Sequence, residues 1–198
     1  MVDSALVIPV DLPPSLEHLR QRYDPDAAWL PAHITLLVPF APADKRAGIA
    51  ARLDQALAGV VGFTVQVPGV GVFYSPDRAV VYLRLHSPHL MRLIARVHRR
   101  FGDYPPYAGR HPVVVPHVTI GRVAPNLAAP VLKATRQALA ALPALSLAVT
   151  RVEWLIPHPP GRCQRIAQYP LAQVSDQEAV PPVPDQRRKP PAVGTRWP

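Results

Sequence analysis

The chain has 198 residues, 48% of them hydrophobic, enough to bury a core in one domain or two small lobes. A single cysteine, Cys163, excludes an intramolecular disulfide and a thiolate metal cluster, which suits a reducing cytoplasm. The formal charge is +9, of which the last 27 residues, with four bases and three acids, hold only +1; the basic body favours polyanions such as nucleic acid or phosphorylated small molecules. The opening stretch MVDSALVIPVDLPP has an acid and no basic leader, and no run reaches the length of a membrane span, so neither a signal peptide nor a membrane partner is expected.

Residues 4–10, SALVIPV, are predicted as a first strand. Residues 15–23, SLEHLRQRY, are predicted as a short amphipathic helix capped by Ser15. The proline-bounded stretch 24–32 is a loop, and 33–40, HITLLVPF, a strand. A helix is predicted over 44–60, where Ile49, Leu53, Ala56 and Leu57 recur at helical spacing and Gly59 stands near the end. FTVQV and GVGVF, within 63–73, form one interrupted strand. SPDR (75–78) is a turn, and the β-branched run 79–85 is the next strand. A helix follows at 87–101 with Pro88 in its first turn. Residues 103–112 are a loop, 113–123 a strand, and 126–142 a helix weakened near Pro130. Residues 145–156 and 163–171 read as a closing strand pair around the PHPPGR turn. From 172 onward the chain is rich in proline and charge and lacks periodicity. The expected organisation is therefore one domain over 1–171 and a disordered proline-rich tail over 172–198.

The order repeats. A strand, a long helix and a strand pair run from residue 33 to 85 and again from 113 to 171, as in an internal duplication. Each repeat opens on a strand interrupted by two polar residues, His33 and Thr35 in the first, His117 and Thr119 in the second. Side chains at i and i+2 share one face of a strand. Each strand thus buries Ile34 and Leu36, or Val118 and Ile120, and presents an imidazole with a hydroxyl on its other face. Packed about a pseudo-twofold axis, the two pairs would converge on one cleft. One neutral imidazole can take a proton there while a second, protonated one gives a proton to a leaving oxygen. Threonine hydroxyls can donate to the non-bridging oxygens of a phosphoester, where charge develops. No metal is needed for such chemistry.

HITL (33–36) and HVTI (117–120) resemble the paired H-Φ-[ST]-Φ motifs of the 2H phosphoesterase superfamily, which includes 2′-5′ RNA ligase-like proteins and cyclic nucleotide phosphodiesterases. GVFYSP (71–76) before VVYLRL is similar to that family's central hairpin, and VEWLIPHPPGRCQRIAQYPL to its closing strands, so the resemblance covers 1–171. It implies an α+β, bilobal fold: a pseudo-twofold arrangement of two antiparallel sheets with flanking helices and a central cleft. It further implies a metal-independent phosphodiesterase, without cofactor, acting on 2′,3′-cyclic phosphate or 2′-5′ linked RNA or nucleotides. That reaction is reversible as 2′-5′ RNA ligation. His33, Thr35, His117 and Thr119 carry over as the catalytic tetrad, in a protein expected to be a cytoplasmic monomer.

Other residues are weighed beside the motifs. Phe73, Tyr23 and Arg122 are candidate substrate contacts: the aromatics for stacking on a base, the guanidinium for neutralising phosphate. By strict alternation, though, Arg122 points away from His117. Trp29, Tyr107 and His111 also lie in loops near the motifs. His86 and His89 lack a third ligand, so no metal site is expected. No G-x-x-x-x-G-K-[ST] and no G-x-S-x-G occurs, which disfavours triphosphate cradling and serine hydrolysis. The competing reading is a module that binds RNA or a nucleotide in the same cleft without turning it over.

Overall fold

Alternating aliphatic and β-branched residues build two four-stranded sheets, antiparallel throughout. The computed structural model describes residues 4–110, 114–158 and 161–173. The first sheet runs β2 (His33–Phe40), β1 (Ser4–Pro9), β7 (Arg151–His158), β8 (Arg162–Pro170). The second runs β5 (His117–Val123), β4 (Ala79–His86), β3 (Phe63–Tyr74), β6 (Ser146–Val149). This is the α+β, two-sheet architecture the sequence implied. The motif strands β2 and β5 are each the edge strand of their own sheet, and their Cα atoms approach within 8 Å across the gap between the sheets.

Four helices, α1 (Pro14–Tyr23), α2 (Arg46–Leu57), α3 (Pro88–Arg100) and α4 (Ala128–Ala140), flank the sheets. α1 and α4 pack on β5, and α3 packs on β2 and on α2. The hairpin β3–β4 that follows the first motif lies beside the second motif, and the hairpin β7–β8 near the chain's end returns to β1 and β2. Each sheet thus depends on both halves of the chain. Beneath the first sheet Phe40 packs edge-on against Phe101, Tyr104 and Trp154, with centroids 5.1, 5.5 and 5.2 Å away. The buried indole Nε1–H of Trp154 donates to Ser4 Oγ at 2.9 Å, and Ser4 Oγ–H donates to the Ala41 carbonyl at 2.6 Å.

Several boundaries differ from the sequence reading. Ser15 is not a cap: α1 starts one residue earlier because Pro14, with its fixed φ and no N–H, suits the first helical position. Pro130 falls in the first turn of α4 and interrupts nothing, for the same reason. β5 begins at His117, and the preceding residues 114–116 are not strand. The stretch 145–156 is two strands. β6 ends at Val149 in the second sheet, Thr150 leaves the ladder, and β7 begins at Arg151 in the first. The helix expected over 44–60 is a 3-10 turn, Ala43–Lys45, followed by α2, which ends before Gly59 at φ +69°. Ala172, just past the expected domain end at 171, is paired with the stretch before β3. Gly62 N–H donates to the Ala172 carbonyl at 2.8 Å, and Ala172 N–H to the Val60 carbonyl at 3.1 Å. The expected tail from 174 onward lies outside the described residues, as does His111. No helix among the described residues is long and apolar enough to cross a membrane.

The Trp154 cluster supplies a test of this packing. Trp154→Ala removes a fully buried ring and leaves Ser4 without its donor, and should cost about 3–5 kcal/mol. Urea denaturation should show the midpoint falling at unchanged m-value.

Candidate active site

His33 and His117 are the first residues of β2 and β5, where each strand leaves a proline-containing loop. The burial of Ile34, Leu36, Val118 and Ile120, all at or below 1% exposure, fixes the phase of both strands. His33, Thr35, His117 and Thr119 are left on the half-buried face. Each imidazole is then held the same way. His33 Nδ1–H donates to the Pro31 carbonyl at 2.8 Å, and His117 Nδ1–H to the Val115 carbonyl at 2.8 Å. A carbonyl can only accept, so both neutral rings carry their proton on Nδ1 and present an unprotonated Nε2.

Burial lowers His33 below the ordinary 6.5, partly offset by the Pro31 hydrogen bond; the positive charges of Arg20 and His117 push it further down, and Asp24 pulls it back. Burial likewise lowers His117, against the opposing bond to Val115. The influence of His117 on His33 means the two rings share one electrostatic environment. Neither motif threonine hydroxyl has a hydrogen-bond partner among the described residues, whereas the buried Thr135 gives its hydroxyl to the Val131 carbonyl at 2.8 Å. Each edge strand thus carries an imidazole and, two residues on along the same face, a threonine hydroxyl without a hydrogen-bond partner among the described residues. Among the described residues, no three His, Cys, Asp or Glu side chains gather as a metal site.

A cavity of about 580 Å³ opens beside His117, lined also by Phe73, Tyr74, Arg78, Tyr107 and Val115. The Phe73 and Tyr82 rings stack at 4.1 Å, and both meet the His117 ring at 5.2 Å. Tyr82 faces Gly71 across the β3–β4 ladder and lies flat on it; a Cβ at Gly71 would fall 2.5 Å from the Tyr82 ring. Tyr107 has φ 52°, a left-handed conformation costly for a non-glycine residue, and burial raises its phenol so that it stays protonated near neutrality. Its turn, Pro106–Gly109, packs on β2, so Tyr107 joins the two sides of the gap.

Of the expected substrate contacts, Phe73 lies against His117, and Tyr23 and Arg122 do not. A β-bulge sets Thr119 opposite Tyr82 but Gly121 opposite Val81, leaving Ile120 unpaired. Beyond it Tyr23 packs over Gly121, where a Cβ would come within 2.9 Å of the Tyr23 Cβ. Arg122 pairs with Asp26, and its Nε lies 3.8 Å from Asp24 Oδ1, tying β5 to the loop after α1. Tyr23 and Arg122 line a separate depression that contains neither motif histidine. Trp29 stands near Gly161 in the turn between β7 and β8.

The sequence reading missed three groups. Tyr82 was findable, because the SPDR turn sets it opposite Gly71 and an aromatic covering a glycine is a recognisable cross-strand pair. Arg20, 2% exposed, pairs with Glu17 and Asp24 and donates to the Leu30 carbonyl. No local signal marks it as a neighbour of His33. Arg84 stands opposite His117 on the adjacent strand and forms no ion pair among the described residues.

Two antiparallel sheets that approach at edge strands, each edge strand bearing a histidine and a threonine two residues apart, are the arrangement of a 2H phosphoesterase. The chain belongs to the 2′-5′ RNA ligase superfamily, whose family model matches residues 8–158. Relatives bearing a provisional phosphoesterase name, from Bacillus anthracis and Bacillus cereus, are 36% identical over 106 residues. That match covers 52% of this chain and 59% of theirs, so the chain spans under two thirds of the length of those relatives. The fold is similar to that of Escherichia coli LigT crystallised with 3′-AMP, at TM-score 0.58 and 20% identity over 87% of this chain and 99% of that one. Usb1 of Kluyveromyces marxianus superposes at TM-score 0.50 and 15% identity, over 85% and 97%.

The shared tautomer and lowered basicity are measurable together. In 15N imidazole spectra both rings should report the Nδ1–H form and titrate below 6.5. The unfolded chain takes up these protons first as pH falls. Folding stability should therefore be complete above about pH 6.5 and decline as pH drops through the folded-state values.

Proposed function

We propose that the protein is a metal-independent phosphodiesterase acting on 2′,3′-cyclic phosphate ends or 2′-5′ linkages of RNA or nucleotides. The supporting observation is the pair of imidazoles held identically, Nε2 outward, on facing edge strands. One neutral Nε2 takes a proton from water as the water oxygen bonds to phosphorus. The other ring, protonated at Nε2, gives its proton to the ribose oxygen as the P–O bond breaks. The products are a phosphomonoester and a free ribose hydroxyl. One proton is taken and one given, so the pair ends with roles exchanged and resets through solvent. Ligation would use the same groups with a 5′-hydroxyl in place of water: its oxygen bonds to phosphorus, one imidazole takes its proton, and the other gives a proton to the ring oxygen as the P–O bond of the cyclic phosphate breaks.

Thr35 and Thr119 donate to the non-bridging oxygens, where charge builds in the transition state. Arg78 in the cavity and Arg84 opposite His117 add positive charge near the bound phosphate. Phe73, stacked on Tyr82 and edge-on to His117, offers a ring for a base beside the reacting phosphate. A ligand of this kind is consistent with the LigT structures solved with 3′-AMP and with phosphate.

Hydrolysis of a 2′,3′-cyclic nucleotide should persist with chelator present. His33→Ala and His117→Ala should each lower kcat/KM by about 10³-fold, and Thr119→Val by about 10²-fold. Because both imidazoles titrate below 6.5, kcat/KM should be bell-shaped with its maximum on the acid side of that value. Tight nucleotide binding without turnover would instead favour a non-catalytic module. Activity lost on chelation, or kept in both alanine variants, would sink the mechanism.

A further inference from the structure

α3 carries a second cluster of charge that the cleft does not use. Its inner face, Leu90, Leu93, Ile94 and Val97, is buried, which fixes the helix in rotation. His89, Arg92, Arg96 and Arg99 follow at spacings of three, four and three, so they share one stripe of the helix. The stripe walls a groove of about 900 Å³, closed on its other side by residues 59–64 leading into β3. No Asp or Glu lines this groove. Arg96 is anchored, its Nη2 donating to the Gln55 and Ala58 carbonyls at 3.1 and 2.9 Å. Arg92 and Arg99 are exposed and form no ion pair among the described residues. The His89 ring stacks on Phe63, centroids 5.7 Å apart and planes 27° from parallel.

We propose that this groove binds the sugar–phosphate backbone of a single RNA strand, at a place separate from the motif histidines. Two exposed guanidiniums without counter-charge attract a polyanion and release its counterions on binding. A flat aromatic pair beside a basic track is the arrangement that holds a base of a single strand. The concave shape fits a strand better than a membrane surface. The groove and the cleft lie near opposite ends of one strand, since β3 runs from Phe63 at the groove to Phe73 beside His117. In the ladders His117 stands opposite Arg84 and Arg84 opposite Gly69, six residues of β3 from Phe63, or about 20 Å along the strand. A mononucleotide in the cleft therefore cannot touch the stripe, and only a longer RNA engages it. The identity of the ligand rests on the reading in the preceding subsection; the location of the groove does not.

The test uses the full chain and fluorescence anisotropy with labelled single-stranded RNA of about 16 and about four nucleotides. Arg92→Gln with Arg99→Gln should weaken binding of the longer strand about tenfold. The slope of log affinity against log salt should fall by about 1.4, roughly 0.7 per charge removed. Turnover of a 2′,3′-cyclic mononucleotide should not change. Equal affinity and slope in the double variant overturn the groove, as does a longer strand that binds no tighter than the short one. If the double variant melts early, each single variant is expected to lose about threefold, and unchanged affinity in both overturns the proposal. Absent mononucleotide turnover in the wild type, with RNA binding that still depends on Arg92 and Arg99, would remove the phosphodiesterase reading and leave the groove standing.

Discussion

Two backbone carbonyls govern the character of the cleft. Pro31 and Val115 each stand two residues before a motif histidine and each accept its Nδ1–H. The bond does three things at once. It fixes the ring's orientation, it selects the tautomer, and it opposes the loss of basicity that burial imposes. At β2 the neighbouring Ala32 carbonyl is the one that accepts from Val10 N–H of the β1 segment, which leaves the Pro31 carbonyl to the imidazole.

The rest of the fold holds those two strand starts opposite one another. Edge position leaves β2 and β5 each with one unpaired side, and the two approach across the gap. The exchange of hairpins between the chain halves makes each sheet depend on the other. The ion-paired set Arg20, Asp24, Arg122 and Asp26 ties α1 and its following loop to β5. Arg122 is thus a brace between the lobes. The Phe73–Tyr82 stack, seated on Gly71, buttresses the His117 ring from the side.

Charge is divided between two regions of different kind. Around the histidines it is scattered over single groups: Arg20 is buried, whereas Arg78 in the cavity and Arg84 opposite His117 are exposed. Along α3 it is exposed and without carboxylate partners in its groove. The first arrangement suits chemistry at a single phosphorus centre. The second suits an extended polyanion.

The sequence by itself determined the local matters. Period-two alternation put each histidine beside its threonine on one face, and buried neighbours fixed that phase. The hairpin turn at 75–78 placed Phe73 near the second motif, the repeated order of elements pointed to an internal duplication, and the resemblance carried by the paired motifs implied the two-sheet architecture. Only tertiary structure decided the remainder. The run 145–156 has no glycine or proline to mark a break, yet Thr150 parts it between two sheets, because each sheet lacks a strand that the other half supplies. Arg122 is a candidate phosphate contact in the sequence because it follows the second motif, although strict alternation points it away from His117; beyond the bulge at Ile120 it pairs instead with Asp26 and lies near Asp24. Arg20 reaches the neighbourhood of His33 through the folding of α1 and its loop, a path with no local signature. Alternation and capping act within a few residues and are written in the chain, whereas bulges, strand exchange and long-range ion pairs arise only when distant segments compete for the same space.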